Sequence, residues 1–157
     1  MIQQLSFRHL AVMVVLFASQ IFCRPARAEN SLDLAQYRGE VVVLDFWASW
    51  CKPCRQSIPW LNEMHSRYGA KGLRIIGVNV DAERGDAEKF LRETPIQFSV
   101  LFDPKGELAT RYSLQGMPTT LIFDRDGKQV ATHLGFQASK KAAREAGLKT
   151  LLEKEHK

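Results

Sequence analysis

Cysteine is scarce in this chain: three residues in 157. Three is an odd number, too few for a disulfide scaffold and one short of a four-thiolate zinc site. Histidine is nearly as scarce. Two of the four, His9 and His156, stand near the ends, and His65 and His133 have no metal-ligand spacing to each other. No repeat, low-complexity segment or linker interrupts the sequence, which excludes a solenoid and favours one ordinary domain. The longest apolar run, Leu10 to Phe22, is about 13 residues. That is short of the ~20 a standard helical span of a ~30 Å bilayer core requires. What remains, 45% apolar and 25% charged residues, is a globular composition rather than a disordered one.

The net charge of +5 would suggest a nucleic-acid or membrane partner if it were spread over the chain. It is not. Residues 1–28 have a short basic start at Arg8 and His9, then the apolar run, then Ala26-x-Ala28, a small-residue cleavage pattern. This predicts a secretory signal peptide over 1–28, or an N-terminal anchor if uncleaved, followed by one domain over 29–157. Three of the 22 basic residues (Arg8, Arg24, Arg27) and none of the 17 acidic ones lie in 1–28, so the remainder carries only +2. No dense Lys/Arg stripe is left to support nucleic-acid binding. Cys23 also falls in the leader. The expectation is a periplasmic protein with two cysteines, a pair that rests as a disulfide unless something reduces it.

Periodicity then lays out the domain. Val41 to Trp47 is an apolar run broken by one acid and predicts a central buried strand. A helix is expected from Pro53 to near Gly69 or Gly72, with Ile58, Leu61, His65 and Tyr68 on one face. A second buried strand follows at Leu73 to Val80, a short helix at Asp86 to Glu93, and a short strand at Phe98 to Phe102. Beyond these come a helical segment near Glu107 to Tyr112 and a hairpin, Thr119 to Phe123 returning at Gln129 to Leu134 around Asp126-Gly127. A closing helix spans about Ser139 to Glu153. The order predicts an α/β fold with a mixed central sheet flanked by helices.

Trp50-Cys51-Lys52-Pro53-Cys54 directly follows the first strand and opens the first helix. There Cys51 meets free N–H groups and the positive end of the helix dipole, which favour a thiolate, and Lys52 adds a nearby positive charge. Pro53 suits a first turn because it gives up an N–H that has no partner anyway. Cys54 lies one turn further in and is expected to be shielded. An exposed attacking thiolate beside a shielded resolving thiol is the equipment for thiol–disulfide exchange. A zinc half-site lacks its other ligands, and an inert disulfide closing so short a loop would stabilise little by chain entropy. Asp45, alone in an apolar strand, is costly there unless neutral or partnered.

The segment Val43 to Cys54, Val-Leu-Asp-Phe-Trp-Ala-Ser-Trp-Cys-Lys-Pro-Cys, resembles the active-site segment of the thioredoxin superfamily. Its nearest resemblance is to the exported TlpA-like protein disulfide reductases, which include cytochrome c maturation thioredoxins. Tyr37-Arg38-Gly39-Glu40, Pro59 and Gly116-Met117-Pro118-Thr119-Thr120 extend the likeness over Leu32 to Leu152. The resemblance implies a thioredoxin-like fold and a protein-disulfide reductase working through a Cys51–Cys54 redox pair, without organic or metal cofactor. It implies a cis Pro118 and a Met117 backbone that pairs with an extended substrate, with Trp50 expected to flank the site and Trp47 to be mostly packing. It makes Asp45 the proton acceptor for Cys54. Implied partners are protein disulfides (apocytochrome c or other envelope proteins) and a membrane thiol electron donor, with the protein acting as a monomer.

Two departures stand out. Many TlpA-like proteins carry Asn where Asp45 stands, and Ala82 occupies the place of a functional Glu, with Asp81 and Glu83 beside it. Asp81 reads equally as a helix N-cap. Alternatives of function are a disulfide oxidase and a copper-delivery module of the same fold. The second lacks the wider cysteine spacing and a ligand partner for His133, and no Thr-x-x-Cys supports a peroxidase.

Overall fold

The structure is a computed structural model that describes residues 32–154. The expected leader at 1–28 lies outside them. Five strands form one mixed sheet in the order β3-β2-β1-β4-β5. They are β1 (Val41–Trp47), β2 (Leu73–Asn79), β3 (Ser99–Phe102), β4 (Thr119–Phe123) and β5 (Gln129–Leu134), with helices α1 (Cys54–Tyr68), α2 (Arg84–Glu93), α3 (Glu107–Arg111) and α4 (Lys141–Glu153). β1, β2 and β3 run parallel, while β4 is antiparallel to both β1 and β5. This is the mixed sheet flanked by helices that the residue pattern predicts.

β1 sits at the centre because it is apolar on both faces, and all seven of its residues are buried. Val41 and Val43 face Trp60, Leu61 and Met64 of α1 and Leu148 of α4. Val42, Leu44 and Phe46 face the opposite layer, with Leu108 of α3 and the loop residue Leu32. Both parallel crossovers move in the same direction across the sheet, so α1 and α2 share a face. There Trp47, Cys54, Ile58, Ala87 and Phe90 form a third cluster at the carboxyl end of β1. Gly77 on β2 is required by that cluster: a Cβ there would stand 3.0 Å from the Trp47 indole nitrogen and 3.2 Å from Phe98.

Element ends differ from expectation in small ways with local causes. α1 begins at Cys54 with Pro53 at its cap, and its kink-prone Pro59 lies inside the helix. The closing helix opens with a 3-10 turn, Ala138–Lys140, before α4 proper. Asp81 is not an N-cap: α2 starts at Arg84, the cap position is Glu83, and no side chain caps it. Asp81 is instead drawn into the loop that leads to the cysteines.

Candidate active site

The site stands at the carboxyl end of β1, where the parallel strands direct their loops. Ala48 and Ser49 carry the chain off the strand. Cys51 N–H donates to the Ala48 carbonyl at 3.1 Å, starting the turn into α1. Asp81, 3% exposed, secures this turn from below. Its carboxylate accepts the Ser49 N–H at 3.0 Å, the Ser49 hydroxyl at 3.0 Å and the Asn79 amide at 2.7 Å. That clamp is a feature sequence reasoning missed; the polar pair Asn79 and Asp81 closing an apolar strand was the available signal.

Cys51 and Cys54 form a disulfide. The Cys54 N–H donates to Cys51 Sγ at 3.3 Å, so the first helical amide points at the first sulfur. Cys54 is fully buried, as its place one turn inward requires. Cys51 differs from expectation: it is only 4% exposed rather than open to solvent. The bond to Cys54 draws its sulfur inward, and Met117 packs against the cluster that holds both cysteines. Trp50 supplies the exposed surface instead, at 69%. Lys52 is exposed beside it.

Met117 and Pro118 come from the loop before β4, and the peptide between them is cis. Two hydrogen bonds fix this loop: Thr119 Oγ1 donates to the Gly116 carbonyl at 2.7 Å, and Gly135 N–H donates to the Pro118 carbonyl at 2.8 Å. A polar groove of about 250 Å³ is lined by Trp50, Arg55, Asp86, Lys89 and Glu93 among others, and neither cysteine lines it. Glu83, the acid on the other side of Ala82, is exposed at the start of α2.

Asp45 lies on the same face of β1 as Trp47, which packs tilted on Phe90. Asp45 is 1% exposed. Its Oδ1 accepts the Thr120 hydroxyl at 2.6 Å, and its Oδ2 is buried without a hydrogen-bond partner. Burial pushes its pKa from 3.8 up to about 7, against the opposing pull of the Thr120 hydrogen bond and the Arg144 charge. A carboxyl poised near neutrality can take up or give back a proton at physiological pH. Thr120 is a second residue that sequence reasoning missed as part of the site. Among the described residues no group of three or more His, Cys, Asp or Glu is placed to hold a metal ion.

A mixed sheet of this order, with a Cys-x-x-Cys disulfide at the head of its first long helix and a Pro loop beside it, defines the thioredoxin-like class. Within that class the chain belongs to the AhpC/TSA family, which matches residues 15–131. It is 32% identical over 108 residues to the thiol-disulfide oxidoreductase ResA of Bacillus thuringiensis subsp. konkukian, a match covering 69% of this chain and 62% of that protein. It is 36% identical over 95 residues to ResA of Geobacillus thermodenitrificans, covering 60% of this chain and 55% of the relative. The chain thus spans less than two thirds of the length of these curated relatives. Among solved structures, a Chlorobium tepidum protein described as a thiol:disulfide interchange protein of the DsbE kind is 49% identical with a TM-score of 0.75, covering 77% of this chain and 86% of that one. StoA of Bacillus subtilis is 25% identical with a TM-score of 0.60, covering 69% and 84%.

Proposed function

We propose that this chain is a periplasmic thiol–disulfide oxidoreductase that reduces protein disulfides. The observation that carries the reading is the Cys51–Cys54 disulfide at the amino end of α1, with the Cys54 N–H directed at Cys51 Sγ and a Pro118 loop alongside. In the reduced protein, Cys51 thiolate attacks a client disulfide and releases one client thiolate, leaving a mixed disulfide. Asp45 takes the proton from Cys54. The Cys54 thiolate then attacks Cys51 sulfur, releasing the second client thiolate and closing the Cys51–Cys54 bond. Two electrons pass from the dithiol to the client. No cofactor enters beyond the cysteine pair. A thiol donor at the membrane returns the two electrons, because the periplasm maintains disulfides kinetically.

The Met117 backbone pairs with an extended client segment beside the cysteines, a form of strand addition, and Trp50 flanks it. Apocytochrome c and other envelope proteins carrying reducible disulfides are the fitting clients. An exported location agrees with the cleavage pattern at Ala26-x-Ala28, and no helix among the described residues is long and apolar enough to cross a membrane. Replacing Cys51 with Ser should abolish reduction of insulin disulfides; retained activity would overturn the assignment. Cys54→Ala should accumulate mixed disulfides on Cys51, whose clients mass spectrometry identifies. A potential near −270 mV in a glutathione titration would fit a reductant, and one near −120 mV would assign the opposite direction.

A further inference from the structure

Asp45 is sealed from solvent, so the proton it exchanges needs a way through the protein. The sheet register supplies one. Asp45 pairs across β1 and β4 with Thr120, and Thr120 pairs across β4 and β5 with His133. Directly paired residues project to the same face, so the three form one transverse row. β5 is the sheet edge, and the row therefore ends beside solvent.

Two cavities continue it. A small one of about 10 Å³ is lined by Thr120, His133 and Arg144, with Val43, Trp60 and Leu148 closing it. That is about the space one water occupies. A groove of about 600 Å³ between β5 and α4 shares His133, Arg144 and Ile122 with it and is open to solvent. Cys51, Cys54, Trp50, Met117 and Pro118 line neither.

We propose that Thr120, His133 and Arg144 form the passage by which the Asp45 proton exchanges with solvent, through the groove between β5 and α4 rather than past the cysteines. The proposal rests on the proton-accepting role of Asp45 given above. Once Asp45 holds the proton, its carboxyl donates to Thr120 Oγ1, reversing the 2.6 Å hydrogen bond that Thr120 donates to the carboxylate. The proton passes to Thr120 oxygen as the Thr120 hydroxyl proton turns to the small cavity and moves on. The transfer passes across the small cavity to the His133 imidazole, which releases a proton to water in the groove. Re-reduction of the disulfide draws a proton inward along the same row. No charge is created or lost beyond the one proton.

The groups facing the row favour this. Burial, with the charges of Arg144 and Lys140, lowers the His133 pKa, which favours the neutral imidazole that can accept a proton. Arg144 feels the Asp45 charge in turn, and its guanidinium is held by the Gly135 carbonyl at 2.9 Å. No carboxylate lines either cavity. His133 and Arg144 are positioning residues that act through Asp45.

The test is single-turnover oxidation of the reduced full chain by excess insulin, followed by tryptophan fluorescence across pH 5 to 9 at low buffer concentration. His133→Ala should slow the step roughly tenfold, less than removal of a direct general base, and added imidazole should restore it in proportion to its concentration. His133→Gln, which fills the site, should be equally slow, separating proton transfer from a packing defect. Arg144→Met should move the midpoint of the rate profile to higher pH, because a cation that favours the Asp45 carboxylate is gone. Wild-type rates and profiles in both His133 variants, or slowing that imidazole does not relieve, would overturn the passage. Asp45→Asn distinguishes the two levels. If it is slow while the His133 variants are not, only the passage falls; if it is as fast as wild type, the role of Asp45 falls and the passage with it.

Discussion

At the scale of single residues, Asp45 combines full burial with a raised pKa. Its carboxyl titrates near 7 when folded and at 3.8 in its ordinary setting, because burial penalises the charged form. The folded state therefore holds this proton more tightly than the unfolded chain. The contribution of Asp45 is most favourable below about pH 4, is lost as pH rises toward 7, and is flat above. Linkage puts the whole difference on the order of 4 kcal/mol, an upper figure for one fully buried group. Asp45→Asn keeps the acceptor for Thr120 and removes the titration. Urea denaturation of the oxidised protein should find the variant gaining on wild type steadily from pH 4 to 7, with no further gain to pH 8. A difference that stays constant with pH would show that Asp45 does not titrate in that window.

At the scale of elements, the loop between β1 and α1 is held by Asp81, which reaches across from the end of β2. Hydrogen bonds to a carboxylate are stronger than neutral ones, and removing it strands the Ser49 N–H. Asp81→Ala should cost about 2–4 kcal/mol in unfolding free energy and slow insulin reduction, while Asp81→Asn recovers part of both. A variant as stable and active as wild type would leave the clamp without function. β2 itself is held at a fixed distance from the Trp47 indole by the absence of a side chain at Gly77. Gly77→Ala should cost about 1–3 kcal/mol by overpacking and shift tryptophan emission, since Trp47 must move.

The elements themselves were legible in the sequence because each carries a local signal. Examples are the apolar run of β1, the Asp126-Gly127 turn between β4 and β5, and the proline beside the start of α1. The cysteine pair was legible for the same reason, since its meaning lies in the strand before it and the helix after it. What stayed hidden depends on residues far apart in sequence. Thr120 lies 75 positions from Asp45, and only the register of β1 against β4 joins them. Asp81 bonds Ser49 across 32 positions, so its local pattern read as a helix cap. His133 read as a ligand without partners although its hairpin was legible, because the turn does not show the register that sets His133 opposite Thr120, nor that Arg144 of α4 lines the same cavity. The low exposure of Cys51 was hidden as well, since Met117, which packs against its cluster, is 66 positions downstream.

At the scale of the whole molecule, the sheet grades from a core to an edge. β1 is buried throughout and bonded on both sides, whereas every residue of β5 is exposed or half-buried and bonded only to β4. Burial graded in this way predicts that the edge opens without the centre. Amide hydrogen exchange should show Val42 to Phe46 exchanging only through global unfolding, at the free energy measured by denaturant. Amides of Val130 to Leu134 should exchange through smaller openings of the β5 edge. Leu148 is the one buried residue of α4 and joins that helix to Val41 and Val43. Leu148→Ala should therefore lower global stability by about 2–5 kcal/mol, and β1 protection should fall by the same amount. β5 protection should fall less, because its openings already bypass the core. Equal loss in both strands would mean that sheet and helix open as one unit, and that the edge grading in burial has no counterpart in free energy.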